Sequence, residues 1–410
     1  MPDVTAATPR ARFTFRGNVP LGRHGWLRLT PAYSVTCVRE LLDRSPRGPI
    51  LDPFCGTGTT LLACAERGIA CTTVDLNPFL VWLAETKAAP YGARAVDDAS
   101  AILANMAAAA RSRGAPPFLP AIHRVDRWWN PSELDALGRA FSVLASARER
   151  GGAGGNLATI AFCRTLIDVS NVSFGHQSMS FRKNGSAGGA RTGAARVSES
   201  LLGSAAAVVR SAASPIREKK TRVLLGDSRD VDELVGGERF AQVITSPPYP
   251  NRMSYVRELR PYMYWLGYLV DRKDAGELDW RAIGGTWGAA TSRLSSWTPD
   301  PDLAVPYPGF SRIVARIRER EPLLANYVHR YFEDMVRHVA ALARVLLPSA
   351  RVHYVVGNSK FYDVLLPAHE IFAALFRSAG LRRAAVTELR KRTSKAELFE
   401  YLVEADAPRG

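Results

Sequence analysis

Between residues 48 and 77 the chain runs GPILDPFCGTGTTLLACAERGIACTTVDLN, and this stretch constrains the fold more than any other. A short apolar run, "PIL", enters a Gly-rich turn. "TTLLACAERG" has the composition of a helix that ends at Gly68, and "ACTTVDL" is rich in the residues that strands favour. Strand, helix and strand in roughly thirty residues make a βαβ unit. A crossover of that length returns the chain in the same direction, so the two strands lie parallel and adjacent. Parallel sheets need cover on both faces, which commits the chain to an α/β architecture.

The same punctuation returns late in the chain. "TRVLLGDSRD" (221–230) and "FAQVITSPPY" (240–249) each read as a strand stopped by a polar turn, and "ARVHYVVGNSK" (350–360) as a buried strand. "LRRAAVTELRKRTSKAELFEYLVEAD" (381–406) reads as two strands about a basic turn. Helical spacing marks 32–45, 255–270 and 331–348. Between the two α/β portions the pattern loosens into amphipathic stretches at 100–113, 132–148, 156–170 and 198–212, broken by the Gly-rich "RERGGAGGN" and "RKNGSAGGARTGAAR". With 410 residues the chain is longer than one core usually serves. We therefore divide it into 1–91 (an N-terminal arm and the first half of the α/β domain), 92–220 (an inserted, mainly helical lobe) and 221–410 (the second half), with an irregular insertion at about 270–312.

Two turns carry the chemistry. In "LDPFCGTGTT", Gly56 and Gly58 let the backbone turn tightly and let a ligand approach, while the following helix points free N–H groups outward. The Gly-Lys-Ser/Thr ending of a P-loop is missing, as is the third glycine of the dinucleotide fingerprint. Asp75 ends the next strand, where an acidic side chain either binds ribose hydroxyls or caps the following helix; Asp227, in "LLGDS", has the same two readings. In "TSPPY" the Ser246 hydroxyl and the Pro247 carbonyl can both accept hydrogen bonds from one planar –NH2 group. Pro247 and Pro248 bring no competing N–H, and Tyr249 offers a face for a flat heterocycle.

Charge narrows the partner. Lys plus Arg number 54 against 39 Asp plus Glu, an excess of 15. Such a field attracts polyanions, and its arginine-rich composition suits phosphate contacts. Arg164, Arg182 and Lys183 flank a Gly-rich loop, and Asn251 and Arg252 follow the Pro-Pro-Tyr turn; all five are candidate nucleic-acid contacts, with a solvated surface as the alternative reading. Five cysteines form no CxxC pair and seven histidines show no ligand spacing, so no metal is expected and a reducing cytoplasm fits. No apolar run is long enough for a membrane span, and the first residues lack a secretory apolar core.

Taken together, "DPFCGTGTT" and "TSPPY" resemble the cofactor and catalytic motifs of S-adenosylmethionine-dependent DNA amino-methyltransferases, particularly the N4-cytosine type. "TVDLNP" and "LLGDSRD" resemble weaker intermediate motifs of that family, and "LTPAYS" (29–34) the segment completing the methionine pocket. The likeness covers roughly 25–90 and 220–405. It implies a Rossmann-like class I methyltransferase fold, a seven-stranded mostly parallel sheet with an antiparallel final hairpin. Residues 1–91 would then hold the cofactor, 221–410 the catalytic half, and 92–220 would be a candidate target-recognition lobe. The motif order is similar to the family's alpha arrangement, except that here the main insertion precedes the "GDSRD" turn.

By the same resemblance, Asp52, Phe54, Gly56, Gly58 and Pro31 line the cofactor's methionine end, Asp75 its ribose and Asp227 its adenine amine. Pro53, Leu76 and Ser228 stand in the same motifs and join the cofactor-binding set, while Ser246, Pro247, Pro248 and Tyr249 grip the target base. The implied substrate is duplex DNA with the target base flipped out, and the implied setting includes a cognate restriction or defence partner. Serine at the head of the motif favours cytosine over adenine within that family. An RNA or protein N-methyltransferase with the same Pro-Pro-Tyr chemistry, or a non-catalytic DNA-binding protein on the same fold, are the rival readings.

Overall fold

The computed structural model describes residues 14–29, 32–44, 48–116, 118–173, 180–181, 192–217, 220–251, 254, 256–285, 289–392 and 397–409. Its centre is a seven-stranded sheet of β1 (Ile50–Asp52), β2 (Cys71–Asp75), β3 (Thr221–Leu225), β4 (Phe240–Thr245), β5 (Leu346–Gly357), β6 (Arg382–Lys391) and β7 (Phe399–Asp406), in the order β6-β7-β5-β4-β1-β2-β3. β7 runs antiparallel to both neighbours, and the pairs β5–β4, β4–β1, β1–β2 and β2–β3 are all parallel. The sheet is Rossmann-like, mostly parallel and closed by an antiparallel final hairpin, as the family resemblance implies. Strand order reverses between β1 and β4, and ligand crevices in open parallel sheets form at such a switch point.

Helices cover the two faces as the apolar β1 and β2 require. They are α1 (Val35–Arg44), α2 (Thr59–Arg67) and α3 (Pro78–Ala88) in the first half. Residues 92–220 contain α4 (Ala93–Arg111), α5 (Pro131–Arg150), α6 (Ala153–Asp168) and α7 (Gly193–Ala212), which pack on one another. α4 buries Ala99, Leu103, Met106, Ala107 and Ala110, a single stripe at helical spacing. Trp128 and Trp129 are core residues rather than an exposed platform, and the Trp129 indole N–H donates to the Leu166 carbonyl at 2.8 Å.

The second half adds α8 (Arg260–Trp265), α9 (Arg272–Arg281), α10 (Ala289–Ser296), α11 (Phe310–Arg320), α12 (Pro322–Arg344) and α13 (Ala368–Ser378). Two of these differ from expectation. The helix anticipated across 255–270 is confined to α8, because residues 256–259 form a turn first. The stretch expected to be irregular from about 270 holds α9 and α10. Asp271 caps α9 by accepting from the Lys273 and Asp274 N–H groups, and Asp274 returns the favour to the Asp271 N–H, a capping box written with two aspartates.

The segment before α1 joins lobe to sheet. Arg23 is buried and donates to the Lys87 and Ala89 carbonyls at the end of α3, at 3.1 and 2.5 Å. It also donates to the Ala212 and Ser214 carbonyls at the end of α7, at 2.5 and 3.0 Å. One guanidinium thus caps the C-termini of two helices from different parts of the chain, satisfying carbonyls no helix can satisfy itself. Among the described residues no helix is long and apolar enough to cross a membrane.

Candidate active site

β1 and β4 are neighbours, in register at Ile50–Gln242 and Leu51–Val243, so the turns that follow them open side by side. Thr245, at the end of β4, donates from Oγ1 to Asp52 Oδ1 at 2.6 Å, and the Phe54 N–H donates to the same oxygen at 3.1 Å. Asp52 is wholly buried, and among the described residues nothing hydrogen-bonds its other oxygen, Oδ2. Burial pushes this carboxyl up to about 7, opposed by hydrogen bonding from the Thr245 and Thr60 hydroxyls and the Phe54 N–H.

The Gly-rich turn is held from two sides. Gly56 and Gly58 have φ of 51° and 72°, the left-handed region that favours glycine. A Cβ on Gly58 would stand 3.0 Å from the Ala84 Cβ of α3, whereas one on Gly56 would meet, among the described residues, only the Phe54 carbonyl oxygen, at 3.9 Å. Gly56 therefore faces open space. Its N–H donates to Asp75 Oδ2 at 2.8 Å, and Asp75 Oδ1 accepts from the Asn77 N–H at 2.9 Å. Asp75 is both the cross-link between two turns and the cap of its own; each oxygen keeps a further lone pair. Burial raises it to about 6.

The β3 turn joins through the Gly226 N–H, which donates to the Asp75 carbonyl at 3.0 Å. Asp227 is engaged by Arg229, whose backbone N–H and Nε each donate to Oδ1 at 3.0 Å while Nη2 reaches Oδ2 at 2.5 Å. Arg229 also donates to Asp334 of α12 at 2.6 Å. Ser228 is buried, and its carbonyl accepts from His338 Nδ1 at 2.7 Å. A carbonyl only accepts, so Nδ1 carries the proton and Nε2 accepts from the Tyr354 hydroxyl at 2.6 Å. Burial lowers His338 to about 4, which keeps it neutral, and its ring meets Phe54 edge-on at 4.7 Å. Pro53 is buried, and Leu76, half-buried, packs against the core cluster that includes the lobe.

The Pro-Pro-Tyr turn is braced by elements far along the chain. Ser246 donates from Oγ to the Val355 carbonyl of β5 at 3.0 Å, which leaves its oxygen lone pairs as acceptors. The Pro248 carbonyl accepts from the Tyr331 hydroxyl of α12 at 2.6 Å. Tyr249 donates to Glu400 at 3.3 Å, and Glu400 is held in turn by Arg390 at 2.8 Å. The Arg392 guanidinium lies 5.0 Å from the centre of the Tyr249 ring. Gly357 lies against the same ring and guanidinium: a Cβ there would come within 2.9 Å of two ring carbons and 2.6 Å of Arg392 Nη1.

Of the candidate nucleic-acid contacts, the Asn251 N–H donates to the Tyr249 carbonyl at 2.8 Å. Arg164 donates from Nη1 to the carbonyls of Trp26 and Gly25, at 2.9 and 3.3 Å, tying α6 to the N-terminal segment. It also lines a cavity of about 740 Å³ with Trp26, Arg28, Arg196, Glu199 and Tyr262, apart from the two turns above. Pro31, Arg182, Lys183 and Arg252 lie outside the described residues. The braces Tyr331, His338, Gly357, Arg392 and Glu400 escape sequence reasoning. Only Gly357, a glycine ending a buried strand, carried a usable signal, that of close backbone approach. Among the described residues no cluster of His, Cys, Asp or Glu is arranged for a metal, and all five cysteines are buried and unpaired.

No protein-family profile matches the chain. A stretch of 68 residues is 32% identical to the type II methyltransferase M.AvaI of Nostoc sp., covering 16% of this chain and 14% of that protein. Another, of 42 residues, is 48% identical to the type II methyltransferase M.MjaII of Methanocaldococcus jannaschii, covering 10% and 8%. The chain thus matches a small part of each relative's length. Among solved structures, the rRNA methyltransferase aviRa from Streptomyces viridochromogenes superposes over 92% of this chain and 86% of its own, with a TM-score of 0.29 and 12% identity. What the chain shares with these proteins is short-range sequence similarity to type II methyltransferases.

Proposed function

We propose that the chain is an S-adenosylmethionine-dependent methyltransferase acting on the exocyclic amine of a base flipped out of duplex DNA, with N4 of cytosine as the preferred target. The observation that carries this reading is the pairing of β1 with β4, which sets the Asp52 turn beside the Ser246 turn, joined by the Thr245–Asp52 hydrogen bond. Cofactor and target amine need such neighbouring sites, because transfer requires the nucleophile in line with the methyl group.

The residues present fit the cofactor. Among the described residues Asp52 Oδ2 is a buried acceptor without a partner, suited to the ammonium of the methionine end. Gly56 leaves its backbone open to close approach, and Asp75 retains lone pairs for ribose hydroxyls. Asp227 would accept the adenine amine while remaining paired with Arg229. The cofactor supplies an electrophilic methyl group.

The chain's own part is to make a poor nucleophile reactive. A nucleobase amine has its lone pair delocalised into the ring. Because the Ser246 hydrogen is committed to Val355, its oxygen meets the amine as an acceptor, and the Pro247 carbonyl is the second. Two acceptors on the N–H bonds draw the nitrogen towards tetrahedral geometry and stabilise the positive charge that develops. The Tyr249 ring, held by Glu400 and covered on one face by Arg392, would stack the flipped base on its other face. The cationic excess of 15 and the segments shared with two type II methyltransferases support DNA as the substrate, and a cognate restriction or defence partner goes with that reading.

Labelled cofactor offered to duplex DNA, tRNA and protein tests the reading, followed by digestion of the product to nucleosides. Label in DNA as 4-methylcytosine is expected; 6-methyladenine would reassign the base, and label only in tRNA would overturn the DNA substrate. Ser246→Ala is expected to slow transfer by about 100-fold, the order seen when one preorganised polar group is removed, with cofactor affinity little changed.

A further inference from the structure

Lys87, near the end of α3, is 1% exposed, and among the described residues no carboxylate pairs with it. Burying an ammonium without a counter-ion is costly unless fixed dipoles solvate it. Two backbone carbonyls do so here. Nζ donates to the Thr57 oxygen at 2.9 Å and reaches the His24 oxygen at 3.4 Å. Thr57 lies between Gly56 and Gly58, at the apex of the turn that faces the proposed cofactor site. His24 belongs to the segment that leads, five residues on, into the one resembling the methionine-pocket motif.

We propose that Lys87 is a positioning residue for cofactor binding: its ammonium fixes the Gly56–Gly58 turn against the N-terminal segment, setting the separation of the two walls without touching the ligand. The inference rests on the cofactor reading above. Geometry explains why a lysine is useful here. Two glycines make the turn conformationally free, and an unrestrained turn would have to be ordered when ligand binds, at a cost in affinity. A long, straight side chain anchored in α3 supplies the restraint from behind. The anchor is itself tied down, since the Lys87 carbonyl accepts from Arg23, which also grips the end of α7. A contiguous path of hydrogen bonds therefore runs from the helical lobe to the cofactor turn.

Titration calorimetry with S-adenosylhomocysteine tests this on the full chain. Lys87→Met should weaken binding about tenfold or more, and Lys87→Gln, which keeps a side-chain –NH2 donor without the charge, should fall between it and the wild type. Met106→Ala, a cavity on α4 in the helical lobe, serves as the control for stability loss; its affinity should stay within about twofold of wild type despite a comparable fall in Tm. In steady state, KM for the cofactor should rise more than kcat falls. Should Lys87→Met fail to fold, the milder Lys87→Gln decides alone. Wild-type binding with Lys87→Gln and Lys87→Met within twofold of it, or an equal loss in Met106→Ala, overturns the positioning role. Failure of the wild type to bind S-adenosylhomocysteine overturns the cofactor reading, and this inference with it.

Discussion

At Asp52 a single buried carboxyl joins the two turns, its Oδ1 accepting from Thr245 Oγ1 and from the Phe54 N–H. Raised by burial to about 7, against an ordinary value near 4, it favours the folded state most below that ordinary value. That advantage is lost as pH rises through 7, because ionising the buried group then costs folding energy. A cationic ligand on Oδ2 reverses the preference by favouring the ionised form. Affinity for S-adenosylhomocysteine should therefore climb with pH to about 7 and level off above it, by about tenfold per pH unit on the rising limb. Binding near pH 6.5 should release a proton, measurable by calorimetry in buffers of different ionisation enthalpy. Asp75, raised to about 6, titrates close by, so Asp52→Asn isolates the contribution: it should leave dependence only below pH 6. A wild-type profile flat from pH 6 to 8 would refute the pairing of Asp52 with an ammonium.

At the scale of elements, the Pro-Pro-Tyr turn belongs to β4 in sequence but is braced by α12, the end of β5 and the final hairpin. Gly357→Ala is the sharpest probe. Its Cβ would press on the Tyr249 ring and on Arg392, so the turn must shift. Overpacking of this kind costs about 1–3 kcal/mol. Urea unfolding should show that loss, and transfer should fall well beyond it while cofactor affinity holds. Unchanged transfer would mean that the Tyr249 position is not critical. The elements were largely legible: the βαβ unit, β3, β4 and the closing hairpin each announce themselves by an apolar run cut by Gly, Pro or Asp. α9 was not, because its capping box uses Asp274 where Glu or Gln is the usual signal, and Gly284, Gly285 and Trp287 mask the pattern downstream.

For the whole molecule, Arg23 is the joint between the helical lobe and the sheet. No charge partner betrays it in the sequence; its partners are carbonyls contributed by residues 87–89 and 211–214. Arg23→Met removes these donors and leaves several carbonyls buried. A loss of about 3 kcal/mol or more is expected, since each orphaned group costs about 1–3 kcal/mol. Hydrogen exchange should localise the opening to the ends of α3 and α7; protection unchanged at both would show that the lobe is held by its apolar contacts alone.

Local chemistry determined much of this protein without any fold in view. Gly56 and Gly58 demand a tight turn, the prolines of "TSPPY" demand an acceptor-rich strand end, and the crossover length demands parallel strands, because each follows from sterics within a few residues. Tertiary structure alone decided that the two turns are neighbours, that Ser246 presents acceptors because Val355 takes its hydrogen, and that Lys87 and Arg23 are spent on backbone carbonyls. Those outcomes depend on strand order and on partners tens to hundreds of residues away, and a backbone carbonyl leaves no mark in the sequence, since every residue has one.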